Sequence, residues 1–252
     1  MRVSKKIVAC SNLMCEQYQM KKAKNLFRIL YSLPKTLYFN FHYLPFKQAI
    51  HLPILLYKPN LVKCSGKISI ITDMGGVKTG MIKLGFPYAN IYPNNGIIWE
   101  NNGGKIIFKG RCTIGNAAAI SVGRNAEVIF GDNFANWAAM KLVSVKGIEF
   151  GEGVSIGWNC MIIDTDFHPL YDINAKCLKK ASGKIYISDD NWFAAECKIL
   201  HSAKTSEHCS FGMGSLINKN VKTEPYCLLV GTPAHIVCRN VMLHPKYRTE
   251  KN

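Results

Sequence analysis

The sequence is short of acid, and the shortage is concentrated at one end. Sixteen Asp and Glu stand against thirty-two Lys and Arg in 252 residues, a formal charge of +16. Between Met1 and Lys63 there are eleven basic residues and one acid, Glu16. A field of that sign favours polyanions: nucleic acid, anionic lipid head groups or a phosphorylated small molecule. No nucleic-acid motif accompanies the charge, so nucleic acid is not expected as a partner. No apolar run approaches the ~20 residues that span a bilayer. "MRVSKKIVAC" places only Ile7, Val8 and Ala9 between Lys6 and Cys10, too little for a signal core. Ten cysteines occur without one CxxC pair, which points to reduced thiols in a cytoplasmic protein, several of them small core residues.

What is present begins with helical spacing from Glu16 to Ser32. Met20, Ala23, Phe27 and Leu30 share a face there, and Pro34 is expected to end the helix. "TLYFNFHYLPFKQAIHLPILLY" follows, aromatic and apolar. It is read first as packing against the body of the protein or a neighbouring subunit, and second as contact with a membrane surface. Residues 1–62 thus form a basic N-terminal segment, 63–240 the main domain and 241–252 a tail.

From about Lys63 helical periodicity is missing and short β-rich pieces take over: "GKISII", "GMIKLGF", "GGKIIF". A fixed repeat emerges when the chain is stepped six residues at a time. Ile187, Phe193, Ile199, Thr205, Phe211 and Ile217 fall on the step. Four residues after each come the mostly small Asn191, Cys197, Ala203, Cys209, Ser215 and Val221. The same step gives Phe150, Ile156, Ile162 and, earlier, Phe108, Ile114, Ile120, while Phe130 heads a unit out of phase. One bulky and one small inward residue in six is what each side of a triangular β-solenoid requires, with stacked coils burying a continuous column. A sandwich would instead alternate, with turns every 8–12 residues.

These hexads, with "NWFAAECKILHSAKTSEHCSFGMGSLINKNV" and "GTPAHIV" (231–237), resemble the hexapeptide-repeat acyltransferases over about Gly104 to Arg239. They are most like the galactoside and maltose O-acetyltransferase branch. The resemblance implies a mainly β fold, a left-handed parallel β-helix. It also implies a homotrimer that binds acetyl-CoA in a cleft between adjacent subunits. Where many family hexads carry Gly after the large residue, this chain has Ser188, Ala194, Leu200, Ser206 and Asn218, and Thr232 replaces the usual Asn.

In that branch the catalytic histidine interrupts the repeats in a His-Pro element. His168 and Pro169 of "DTDFHPLYD" match it, in a loop near 164–184. Histidine suits a general base because its ordinary pKa of ~6.5 leaves much of it neutral at pH 7. Asp166 shares a face with His168 if the segment is extended, and could fix its tautomer. By position in the resemblance, Asn136 would bind an acceptor hydroxyl or the oxyanion, although a corner Asn in a turn is nearly as good a reading. Trp137 and Trp158 offer stacking faces or packing. The resemblance places acetyl-CoA on Ala194, Ala195, Met213, Lys219, His235 and Arg239, with Lys219, Arg239 and Lys222 toward the phosphates. The implied activity is acetyl transfer to a hydroxyl of a sugar or saccharide, with no metal. Two rivals are kept: an inactive β-helix scaffold, and a zinc hydratase using His168, His201 and His208, whose spacing does not fit closely paired ligands. Cys197 and Cys209 fall at small inward positions, where thiols are inert.

Overall fold

The structure is a computed structural model that describes residues 27–72, 75–88 and 91–244. Of the amphipathic segment expected from Glu16, residues 16–26 lie outside that range, as does the tail from 245. Stepping six residues turns the chain through one side of a triangle, and three sheets of nine, seven and five strands form the sides, parallel but for the last strand of the nine. The first side carries Ile82–Phe86, Cys112–Asn116, Phe134–Ala138, Ser155–Ile156, Trp192–Phe193 and Ser210–Phe211 in one parallel ladder. Its in-register inward column runs Leu84, Ile114, Asn136, Ile156, Phe193, Phe211 and Leu229. The second column runs Trp99, Ile120, Leu142, Ile162, Ile199 and Ile217. The third runs Ile70, Phe108, Phe130, Phe150 and Ile187.

Every bulky and small residue of the strict hexads is buried, Thr205 and Val221 included. The rings of Phe108, Phe130 and Phe150 stack at 5.3 and 5.5 Å, and those of Phe193 and Phe211 at 4.5 Å. Phe130 is therefore not out of register. The corner before it is longer, and the column resumes in phase once the corner is passed.

The solenoid begins earlier than the boundary expected at 63. Ile54–Leu56 and Pro59–Cys64 already pair in parallel with Ile82–Phe86 and Ile97–Asn101. The aromatic residues upstream disguise so short a first strand. Pro34 also has a different job from the one expected. It lies in the first turn of helix α1 (Leu33–Tyr43), where a missing N–H costs nothing, and α2 (Phe46–Ala49) follows.

A solenoid leaves its first strand with unpaired amides, a template for aggregation unless covered. Here α1 covers it with a polar stripe at helical spacing, Ser32, Thr36 and Asn40, all buried. Asn40 Oδ1 accepts from Ile54 N–H at 3.2 Å and its Nδ2 donates to Ile54 C=O at 2.7 Å. Thr36 Oγ1 accepts from Leu56 N–H at 3.2 Å, and Ser32 Oγ from Lys58 N–H at 3.0 Å. Alternate amides along the edge are thus each met by one side chain. At the other end Ala234–Arg239 folds back antiparallel on Cys227–Gly231, the chain reversing after Gly231 at φ +106, a conformation glycine adopts freely. The opposite faces of α1 and α2 leave Leu37, Tyr38, Phe41, Phe46 and Ile50 exposed.

Asn40→Leu keeps the bulk and strips the cap from both backbone groups of Ile54. Urea unfolding is expected to show a loss of about 1–3 kcal/mol with raised aggregation on heating. An unchanged midpoint would show that the edge does not need this residue.

Candidate active site

The longest interruption of the hexads after Phe108 lies between Ile162 and Ile187, and it is a built loop. Asp166 N–H bonds Ala181 C=O at 2.7 Å, Gly183 N–H bonds Asp164 C=O at 3.0 Å, and Thr165 bridges Ser182. Beyond this stem a two-strand hairpin, Tyr171–Asp172 with Cys177–Leu178, forms the tip. Phe167, Leu170, Ile173 and Leu178 are exposed on it.

Each of the three acids around His168 has its own partner. Asp164 is fully buried, and its carboxylate accepts from the Val145, Lys146 and Gly147 N–H groups and the Ser144 hydroxyl at 2.7–2.9 Å. It anchors the stem to the preceding coil. Asp172 closes the tip, accepting from Asn174 and Ala175 N–H. The Ala175 N–H first, and Lys179 next, hold its carboxyl below the usual range. Asp166 does not meet His168. Its Oδ2 lies 3.0 Å from Nε2 of His201, one coil further on. The reason is local: His168 N–H bonds Asp166 C=O at 2.6 Å and Phe167 has φ +59, so the segment is a turn and the two side chains do not share a face. His168 is exposed and its ring makes no hydrogen bond to any described residue.

Asn136 occupies the bulky place of its hexad, between Ile114 and Ile156, and is fully buried. Its Nδ2 donates to Ile156 and Gly157 C=O at 3.2 and 3.1 Å, and its Oδ1 has no partner among the described residues. The side chain expected to face an acceptor points inward instead, because a step of six from Phe130 lands on it.

Ala194 and Ala195 line a recess of about 350 Å³ with Tyr88, Trp137, Gly157, Trp158 and Trp192. Gly157 and Ala194 are the small residues that leave the floor open, while Trp137 and Trp158 stay partly exposed as its walls. Gly214 N–H bonds Ala195 C=O at 3.0 Å, which brings exposed Met213 to the same corner one coil on. Lys219 lies at a different corner, after Leu216–Ile217 of the second side. His235 and Arg239 sit on the closing strand, where Arg239 pairs with Glu224 through Nε at 2.9 Å and a second nitrogen at 3.2 Å. That contact holds the Glu224 carboxyl below its usual value. Anything binding Arg239 competes with this exposed pair.

The recess lies at the corner between the first and second sides. His168 emerges at the corner between the second and third, so one chain does not bring them together. Sequence reasoning missed Tyr88 and Trp192, and it named His201 only as a candidate metal ligand. The partnership of His201 becomes visible only through the register that sets Ile163 beside Leu200. The thiols of Cys197 and Cys209 are buried and donate to Gly212 and Glu224 C=O. Burial, with Cys227 beside it, pushes Cys209 up to about 12, away from a thiolate nucleophile. No three His, Cys, Asp or Glu side chains among the described residues come together as a metal site, and His168, His201 and His208 do not converge.

No family model matches the chain. Over 188 residues, 74% of this chain and 82% of the other, it is 28% identical to an uncharacterized 24.8 kDa protein in the cps region of Klebsiella pneumoniae. Among solved structures it is similar to the polySia-specific acetyltransferase NeuO, 18% identical over 77% of this chain and 91% of the other, with a TM-score of 0.47. A hexapeptide-repeat-containing acetyltransferase of Vibrio cholerae O1 biovar eltor, complexed with acetyl-CoA, is 14% identical over 85% and 87%, with a TM-score of 0.30. A maltose O-acetyltransferase from Clostridium difficile 630 gives the same values.

Asp164→Asn replaces an all-acceptor group with one that turns an N–H₂ toward donors. The variant is expected to lose about 2 kcal/mol or more, hydrogen bonds to a charged group being the strong ones. Limited proteolysis should cut faster between residues 166 and 181. Wild-type resistance there would show that the stem does not depend on this carboxylate.

Proposed function

We propose that the protein is an acetyl-CoA-dependent O-acetyltransferase of the hexapeptide-repeat, left-handed β-helix kind, acting on a saccharide hydroxyl as a homotrimer. The observation that carries this reading is the stemmed loop, which interrupts a regular column to present one exposed histidine whose ring has no partner among the described residues. A base needs that freedom, because its ring must reach a hydroxyl within about 3 Å. The recess suits the narrow arm of the cofactor: its floor is small residues, its walls are aromatic, and its volume of about 350 Å³ is short of the whole cofactor. Bound acetyl-CoA supplies an activated thioester. His168 takes the proton of the attacking hydroxyl, and the Asp166–His201 pair holds the arm of the loop that carries it. Trp137 and Trp158 flank the place where the acceptor lies and exclude water. Lys219, His235 and Arg239 are proposed for the phosphate end, Arg239 exchanging Glu224 for phosphate.

The separation of His168 from the recess supports the trimer, since a neighbouring copy can bring its own corner to the site. The exposed apolar residues of the loop tip would be covered in the same step. A cytoplasmic protein at the inner face of the membrane is proposed from the basic N-terminal part, where the aromatic outer face of α1 and α2 lies free of the coil. No helix among the described residues is long and apolar enough to cross a membrane. A place in surface-polysaccharide assembly fits both this setting and the neighbourhood of the Klebsiella relative.

His168→Ala should bind acetyl-CoA with wild-type affinity by isothermal titration and lose ~10² to 10⁴ in turnover on a saccharide panel. No acetyl-CoA binding to the wild type would sink the reading. The shared site has its own check. Ala195→Trp blocks the recess, and each variant alone should be inactive. Co-expressed, they should recover about a quarter of wild-type turnover, because a ring of random composition joins a good loop to a good recess at one interface in four. A mixture as inactive as its parts would place loop and recess in one chain.

A further inference from the structure

A second cavity, of about 430 Å³, opens at the corner between the third and first sides, in the early coils. Lys78, Lys83 and Arg111 line it, with the hydroxyls of Thr79 and Thr113 and one acid, Asp132. That acid is occupied: its Oδ1 accepts from Arg111 N–H at 2.6 Å and lies 3.9 Å from Arg111 Nε, and its Oδ2 accepts from Asn133 at 2.9 Å. Lys78 and Lys83 have no carboxylate partner among the described residues, so the cavity is cationic. Two ammonium groups, hydroxyls and a glycine-bearing wall suit an oxyanion.

Position gives the cavity its role. Strand register sets Lys83 beside Thr113 on the outer surface of the first side. Thr113 is hydrogen-bonded to Tyr88, and Tyr88 stands edge-on to Trp137 with ring centroids 6.1 Å apart. Tyr88 and Trp137 line the aromatic recess. Cavity and recess therefore lie at the two ends of one prism side, with the hydrogen-bonded pair Thr113 and Tyr88 lining one and the other. A ligand in the recess that extends over Tyr88 arrives at the lysines.

We propose that the acceptor is an anionic saccharide whose carboxylate or phosphate sits in the Lys78–Lys83 cavity while its reacting sugar lies against the aromatic recess. This rests on the acetyltransferase reading and narrows its substrate class. The two oxyacids share the chemistry that the lysines recognise, and the acceptor panel separates them. It holds a hexuronic acid oligosaccharide, a sugar nucleoside diphosphate and a neutral oligosaccharide of matched length.

The test compares wild type with a Lys78→Ala/Lys83→Ala double variant, both changes being at exposed positions outside the catalytic set. KM for the preferred acidic acceptor is expected to rise about tenfold, with kcat and acetyl-CoA affinity unchanged, since two partly exposed charge contacts together carry roughly that factor. The wild-type advantage of acidic over neutral acceptor should shrink as salt is raised. Titration of the same oligosaccharides into His168→Ala, with and without the lysine changes, reads binding without turnover. Equal use of neutral and acidic acceptors, or a double variant with unchanged affinity for the acidic one, overturns the inference and leaves the acetyltransferase reading standing. Lysine-dependent binding of an acidic oligosaccharide with no acetylation of any acceptor upholds the cavity and removes the acetyltransferase.

Discussion

Inside a triangular coil there is room for one bulky side chain per side, and the next coil must put its own directly above. The rest of this molecule is arranged around that stacking. Where the chain spends six residues per side, from Ile187 to Ile217, the column fills with Ile, Phe and one Thr, and the small inward residues let the corners turn. Where it spends more, the surplus leaves the column as a corner or a loop, so the place of an insertion is dictated by packing. The loop at 164–184 leaves at a corner because only a corner can open without unstacking its neighbours. It is then tied back by a buried carboxylate with four donors. In the proposed reading the base is thereby carried on an irregular segment held by a regular one, the usual division between loop and scaffold.

The same stacking explains what could be read from residues alone. A run in strict register is visible in one dimension, so the solenoid and its last coils were legible, and so was the loop, as a break in that run. Asn136 was legible as a residue and not as a position, because the step that lands on it starts from Phe130 after a long corner. The partner of Asp166 is invisible to local reasoning. Neighbours along the prism axis are separated by a whole coil of sequence, and here by the loop as well. The cap on the first strand was hidden for another reason. Ser32, Thr36 and Asn40 form a polar stripe within an aromatic segment, and apolar residues dominate any periodicity count there. Their meaning depends on an unpaired edge that only the folded coil creates.

A prism with three corners can keep different chemistries apart without separate domains. One corner of this chain carries the histidine, another the aromatic recess, and the third a cationic cavity. Each of them projects from the same stacked column. Loop and recess stand at different corners of one chain, so the proposed reading needs a second copy to join them, whereas recess and cationic cavity already share one side. The order of assembly follows. The side shared by recess and cavity can hold a long ligand within one chain, and in the proposed trimer the neighbour would add the base. In the proposed trimer, binding of the acceptor and supply of the proton acceptor would fall to different subunits.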